Sequence, residues 1–211
     1  MSLTDSLEAM VVQHDRIGSP LRERLAPGVP RHRIESAVMA LGLSPPEELI
    51  ELFAWHEVRD DPADKWRVTW FWPASPLRLD EAVDEYRHAM TIGGVTPAEL
   101  EEHLAAAGPG STLTGFWRSD WFPILDGGEG AVQCAINGGT LEGSPVWRQN
   151  WHPNESFQSA QLAATLSEFV DRIVELFRAG AYRWDAEHQA VVIVDDVLER
   201  LGLAATGRPW P

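Results

Sequence analysis

Cysteine is almost absent from this chain: Cys134 is the sole one in 211 residues. That excludes an internal disulfide and a zinc site built from cysteines. Long apolar runs are missing as well, and no stretch approaches the roughly 20 apolar residues that a membrane span needs. Residues 1–13 carry no basic region ahead of an apolar stretch, so no secretory signal is read there and a cytoplasmic location is expected. Bases are scarce. Lys and Arg number 17 against 32 Asp and Glu, for a net charge of −15. The acids cluster: Glu47, Glu48, Glu51, Glu57, Asp60, Asp61 and Asp64 are opposed by Arg59 alone, and Asp80, Glu81, Asp84, Glu85, Glu99, Glu101 and Glu102 by Arg87 alone. Such a surface repels nucleic acid and anionic membrane and steers basic partners in, so neither nucleic acid nor membrane is expected as a partner. The same charge also serves solubility.

Motifs for chemistry are missing too. The seven histidines are scattered without an H-E-x-x-H pair, so no zinc is expected. The loop Asp126-Gly127-Gly128-Glu129-Gly130 carries two acids and sits between strands. A phosphate loop would need a base or a following helix, and calcium would need more oxygen ligands. The loop reads as a tight turn, with positive φ at Gly128 or Gly130. Cys134 falls in an expected interior strand, where a thiol behaves as a small hydrophobe. No catalytic residue and no cofactor is assigned; an enzyme using His152 with Asp126 or Asp120 stays as a remote alternative.

What the chain does have is tryptophan, ten against two tyrosines, and clear periodicity. Residues 3–15 read as a helix broken at Ile17-Gly18-Ser19-Pro20, and a second break at 26–30 sets residues 1–30 apart as a helical extension. Residues 32–41 read as a helix closed by Gly42. Ser44-Pro45-Pro46-Glu47 opens the next, over 47–56. On it Leu49, Leu52, Phe53 and His56 share one face, and Glu47, Glu48 and Glu51 the other, with Trp55 among the acids. His56 reads as a core histidine satisfied by a hydrogen bond; Trp55 is either covered by a loop or offered to a partner. A strand is expected over 65–72, a helix over 79–90, and an acidic helix over 96–106 that starts at a Thr96/Glu99 capping box and looks like an insertion. Strands follow at 131–136 and 145–151. Residues 160–179 read as the longest helix, with Leu162, Ala163, Leu166, Phe169, Val170, Ile173, Val174 and Phe177 in one stripe and Gly180 as its cap. Residues 182–185 lead out of that helix, and a short strand at 191–194, a terminal helix turn at 195–201 and a loose tail at 204–211 complete the chain.

This order predicts an α+β fold: a single antiparallel β-sheet, a meander, with N-terminal helices and a long C-terminal helix packed on it. The motifs Leu43-Ser44-Pro45-Pro46-Glu47-Glu48-Leu49, Leu52-Phe53-Ala54-Trp55-His56, Trp121-Phe122-Pro123-Ile124 before the Gly-rich acidic loop, Val146-Trp147, Trp151-His152 and Gly180-Ala181-Tyr182, in that order, resemble the SUKH superfamily (Smi/Knr, cell-wall-assembly-regulator-like) over about residues 31–203. Val58 and Ala131 depart from the family pattern, in which glycine and an acid are common there. The resemblance implies a binding fold. Bacterial members are often immunity proteins that neutralise a toxin by contact, and fungal members act as regulatory scaffolds. The expectation is thus a non-catalytic module that binds and neutralises a basic, nuclease-type protein toxin, with a regulatory scaffold lacking a toxin partner as the alternative. Its partner-binding residues are expected to be Glu47, Glu48, Glu51, Trp55, Asp120, Trp121, Asp126 and Glu129, since acids steer and a nearby tryptophan supplies the desolvated anchor. For Trp121, burial under the meander is the competing reading.

Overall fold

Helices and paired strands alternate along this chain. The structure, a computed structural model, describes residues 2–59, 69–70, 74–107, 117–126, 132–137, 144–150 and 160–202. Helix α1 spans Leu3–Ile17. Ser2 caps it by accepting from the Asp5 N–H at 3.2 Å, and the break expected at Gly18 is there, with φ at +78°. A helical turn, α2 (Leu21–Arg24), leads into strand β1 (Leu25–Pro27), then α3 (Arg31–Met39) and α4 (Glu47–Trp55). The helix expected to include His56 stops one residue short of it. His56 is extended and opens β2 (His56–Val58), which pairs antiparallel with β1. The Val29 N–H donates to the Phe53 carbonyl at 2.8 Å, so the incoming chain takes up a carbonyl in the last turn of α4.

Strand β3 (Ser75–Pro76), helix α5 (Leu79–Gly93), strand β4 (Gly94–Val95) and helix α6 (Pro97–Ala107) follow. The capping box at α6 is present: Thr96 N–H to Glu99 at 2.7 Å and Glu99 N–H to the Thr96 hydroxyl at 3.2 Å. Strands β5 (Trp117–Arg118), β6 (Trp121–Asp126), β7 (Val132–Asn137), β8 (Val146–Asn150) and β9 (Ala160–Ala163) come next. Helix α7 (Leu166–Arg178), strands β10 (Tyr182–Asp185) and β11 (Ala190–Ile193), and helix α8 (Asp195–Arg200) end the described chain.

The protein is mixed α+β. Its strands do not form the single sheet expected from the sequence. Five of them make one antiparallel sheet in the order β3-β6-β7-β8-β9, while β1-β2, β10-β11 and the parallel pair β4-β5 stand apart as two-stranded units. The small pairs are short segments, and which strand each one pairs with is a tertiary choice that alternation along one strand does not encode. Strand β7, which carries Cys134, is the central one of the five. In β6, Pro123 sits beside a register shift between Pro123 and Leu125, as a residue without an N–H must when it lies inside a sheet. The strand expected over 65–72 lies outside the described residues except for Thr69 and Trp70, as do the glycines of the 126–130 loop and the tail at 204–211.

The C-terminal helix is corrected in two ways. Residues 160–163 are strand β9, not helix. Thr165 sets the boundary, accepting the Glu168 N–H at 3.1 Å as an N-cap, a Thr-x-x-Glu start inside the stretch read as continuous helix. The expected stripe is buried: Leu166, Phe169, Val170 and Ile173 are each 1% exposed and Phe177 5%. Its chief neighbour, however, is α1 rather than the sheet, which α7 meets at β9. Leu3, Leu7, Met10 and Val11 of α1 belong to the same core as that stripe, and the Ser6 hydroxyl donates to Asp171 at 2.7 Å. Residues read from the sequence as an extension thus provide a wall of the main core. The sheet is covered at β6 by α5 and α4, where Tyr86 stacks on Phe122 at 6.4 Å and Phe53 meets Phe122 edge-on at 6.0 Å.

Candidate functional site

Helix α4 turns Leu49, Ile50, Leu52 and Phe53 into the core. Glu47, Glu51 and Trp55 recur every four residues, which places them along one stripe of the helix surface. Glu47 is exposed and Glu51 and Trp55 half-buried. The Arg31 guanidinium grips Glu47 with both of its terminal nitrogens, one of them at 3.0 Å. That hydrogen bond holds the Glu47 carboxyl below the usual range. Trp55 donates its indole N–H to Glu8 of α1 at 2.8 Å and meets Trp70 edge-on at 6.4 Å and His56 at 4.9 Å. The ring is therefore neither fully covered nor free. It is fixed by a neighbouring helix with part of its face in water. His56 has the single hydrogen bond expected of it, its Nδ1 2.8 Å from the Ala26 carbonyl, but it is half-buried on β2 rather than a core residue of the helix.

Glu48 lies off this stripe and has another task. Its carboxylate accepts the backbone N–H groups of Leu166 at 2.9 Å and Ser167 at 3.1 Å, and the Ser167 hydroxyl as well. It caps the amino end of α7, where unpaired N–H groups and the helix dipole favour a carboxylate.

The second group expected at the surface is arranged differently. Trp121 is 2% exposed and sits in a small second core with Trp117 and Ala89, stacked on Trp147 at 5.5 Å. It is not available as a surface anchor, because β6 is buried from Trp121 through Leu125. Trp117 donates its indole N–H to the Trp121 carbonyl at 3.1 Å. Asp120 is half-buried and held by Arg118 at 2.9 and 2.6 Å; burial, with the Asp120 carboxylate as the smaller cause, pushes the Tyr86 phenol up. Asp126 ends β6 opposite Ser75 and Gln133. Glu129 and His152 lie outside the described residues. The hydrogen bonds of α4 lead to α1, α3 and α7, and those of Asp120 to Arg118, so the two acidic groups belong to different neighbourhoods.

Two features were not anticipated. A cleft of about 720 Å³ opens between α3 and α5, lined by Arg33, Arg78 and Arg87 against Glu57, Asp80 and Asp84 over an apolar strip that includes Leu79 and Val83. Its two signs are balanced, so charge does not select a ligand there. The other is His14, fully buried on α1, which the sequence shows only as one histidine among seven. Among the described residues no group of three or more His, Cys, Asp or Glu side chains could hold a metal ion, and no helix is long and apolar enough to cross a membrane. Compared with known proteins, the chain matches no protein-family model and no curated protein.

Proposed function

We propose that this chain is a non-catalytic protein-binding module of the SUKH type, working in the cytoplasm as an immunity protein that docks and neutralises a basic protein toxin. The observation that carries the reading is Trp55: a half-exposed indole, held in one orientation by Glu8, at the end of the Glu47–Glu51 stripe of α4. Interfaces draw most of their affinity from a few oriented aromatic anchors, and tryptophan leads that group. Because Glu8 already fixes the ring, little side-chain entropy is lost on docking. The net charge of −15 supplies long-range attraction for a cationic partner and repels anionic ones. The order of the sequence motifs supports the same class.

The docking face is α4's outer stripe, Glu47, Glu51 and Trp55. Glu48 supports it from within by tying α4 to α7, and Trp121, buried in the separate small core with Trp117 and Ala89, is no part of it. The test is direct. The product of the gene beside this one is purified, mixed with this protein, and followed by calorimetry and by its own toxic activity. A stoichiometric complex that abolishes that activity is expected. A neighbouring product that does not bind, or that binds while remaining fully active, overturns the immunity reading.

A further inference from the structure

We propose that Trp55 is the floor of an arginine site shared by two helices: an arginine side chain of the partner stacks on the indole, between Glu8 of α1 and Glu51 of α4. The inference rests on the docking face proposed above and names what that face grips. The ring is prepared for a cation. Its indole N–H donates to Glu8 at 2.8 Å, so a carboxylate holds one edge while the residue stays partly in water. His56 and Trp70 meet the ring at 72° and 74°, edge-on rather than stacked flat. Glu51 stands one helical turn before Trp55, and helical side chains lean toward the amino end, which brings the indole back toward Glu51.

Both carboxylates have capacity left. Among the described residues the Glu8 side chain bonds to Trp55 alone, and the Glu51 side chain has no hydrogen bond or ion pair. The other acids of these two helix faces are engaged. Arg31 holds Glu47, and Arg22, though it feels the Glu8 charge, donates to Asp15. Glu48 is turned to the amino end of α7. The charge left to answer therefore sits at the Trp55 end of the stripe. Arginine suits it better than lysine: a planar guanidinium lies flat on an indole while its in-plane N–H groups reach carboxylates beside the ring, whereas an ammonium is a point charge. Val12, one turn after Glu8 on α1 and 41% exposed, offers apolar surface to the methylene stem.

The test uses the full chain and two capped pentapeptides, Gly-Gly-Arg-Gly-Gly and its lysine counterpart. Indole N–H signals are followed by NMR at constant salt, Trp55 being the signal lost in Trp55→Phe. Expected is a saturable shift of the Trp55 signal, with an affinity about three-fold or more higher for the arginine peptide. Glu51→Gln, and Glu8→Gln, which keeps an acceptor for the indole, should each weaken it about two- to five-fold. Glu175→Gln, the same loss of charge at an exposed position of α7, should not. No saturable shift at Trp55, equal binding of the lysine peptide, or unchanged affinity in both carboxylate variants overturns the site, whether or not the neighbouring gene's product binds. Specific arginine binding beside a neighbouring product that fails to bind upholds the site and removes only the immunity reading.

Discussion

The Glu48 carboxylate binds both the backbone N–H and the hydroxyl of Ser167, 119 residues further along the chain. It thereby joins the helix that carries the proposed docking stripe to the helix that fills the core. Capping interactions of this kind contribute about 0.5–2 kcal/mol, and charged acceptors lie at the upper end. Glu48→Gln is expected to lower the unfolding free energy by about 1 kcal/mol and Glu48→Lys by more, because a cation would face the positive end of α7. Urea unfolding checks this; a Glu48→Lys variant as stable as the wild type would contradict it. The loss is one of stability, so Glu48 is a poor probe of docking.

Helix α1 belongs to the core by the same kind of argument. Leu3, Leu7, Met10 and Val11 are each at most 1% exposed and share the core of the α7 stripe. Removing residues 1–18 is expected to abolish the cooperative unfolding transition. Phe169→Ala, in the full chain, should cost about 3–5 kcal/mol. A truncated protein that melts at the wild-type temperature would contradict the placement of α1.

Gly28, directly after β1, lies tight against the last turn of α4. A Cβ built there would stand 2.1 Å from the Ala54 carbonyl oxygen. The obstacle is backbone, so the helix end or the strand must move. Gly28→Ala is expected to cost about 2 kcal/mol and to weaken protection at the amides of residues 25–29. Calorimetric melting checks the first effect and hydrogen exchange the second. A substitution without effect on either would contradict the close packing.

How far these features could be read from the sequence depended on how local they are. The turns closed by Gly42 and Gly180, both with positive φ, and the Thr96/Glu99 box were legible because each needs only a few neighbouring residues. So was the apolar stripe of α7, whose burial follows from a 3.6-residue period. The role of α1 was not legible: Pro20 and Pro27 advertise breaks, and nothing local says that the helix before them packs on one 165 residues away in sequence, as the Ser6–Asp171 bond records. Residues 160–163 were misread because Leu162 and Ala163 fit a helical stripe as well as a strand, and pairing with β8 decides between them. In the candidate site, the Glu47–Glu51–Trp55 spacing was visible. The diversion of Glu48 to α7, the burial of Trp121 and the hold of Glu8 on Trp55 are contacts between distant segments that no single helix wheel contains.

The central claim, that the outer stripe of α4 docks a basic protein, is tested most directly by binding kinetics on this face. Association and dissociation of the partner, the purified product of the neighbouring gene, are measured for the wild type, Trp55→Ala and Glu51→Lys from low to high salt, with folding checked by circular dichroism. The account predicts that Trp55→Ala mainly speeds dissociation, by about ten-fold or more. It predicts that Glu51→Lys mainly slows association and flattens its salt dependence. Wild-type rates in both folded variants would contradict it.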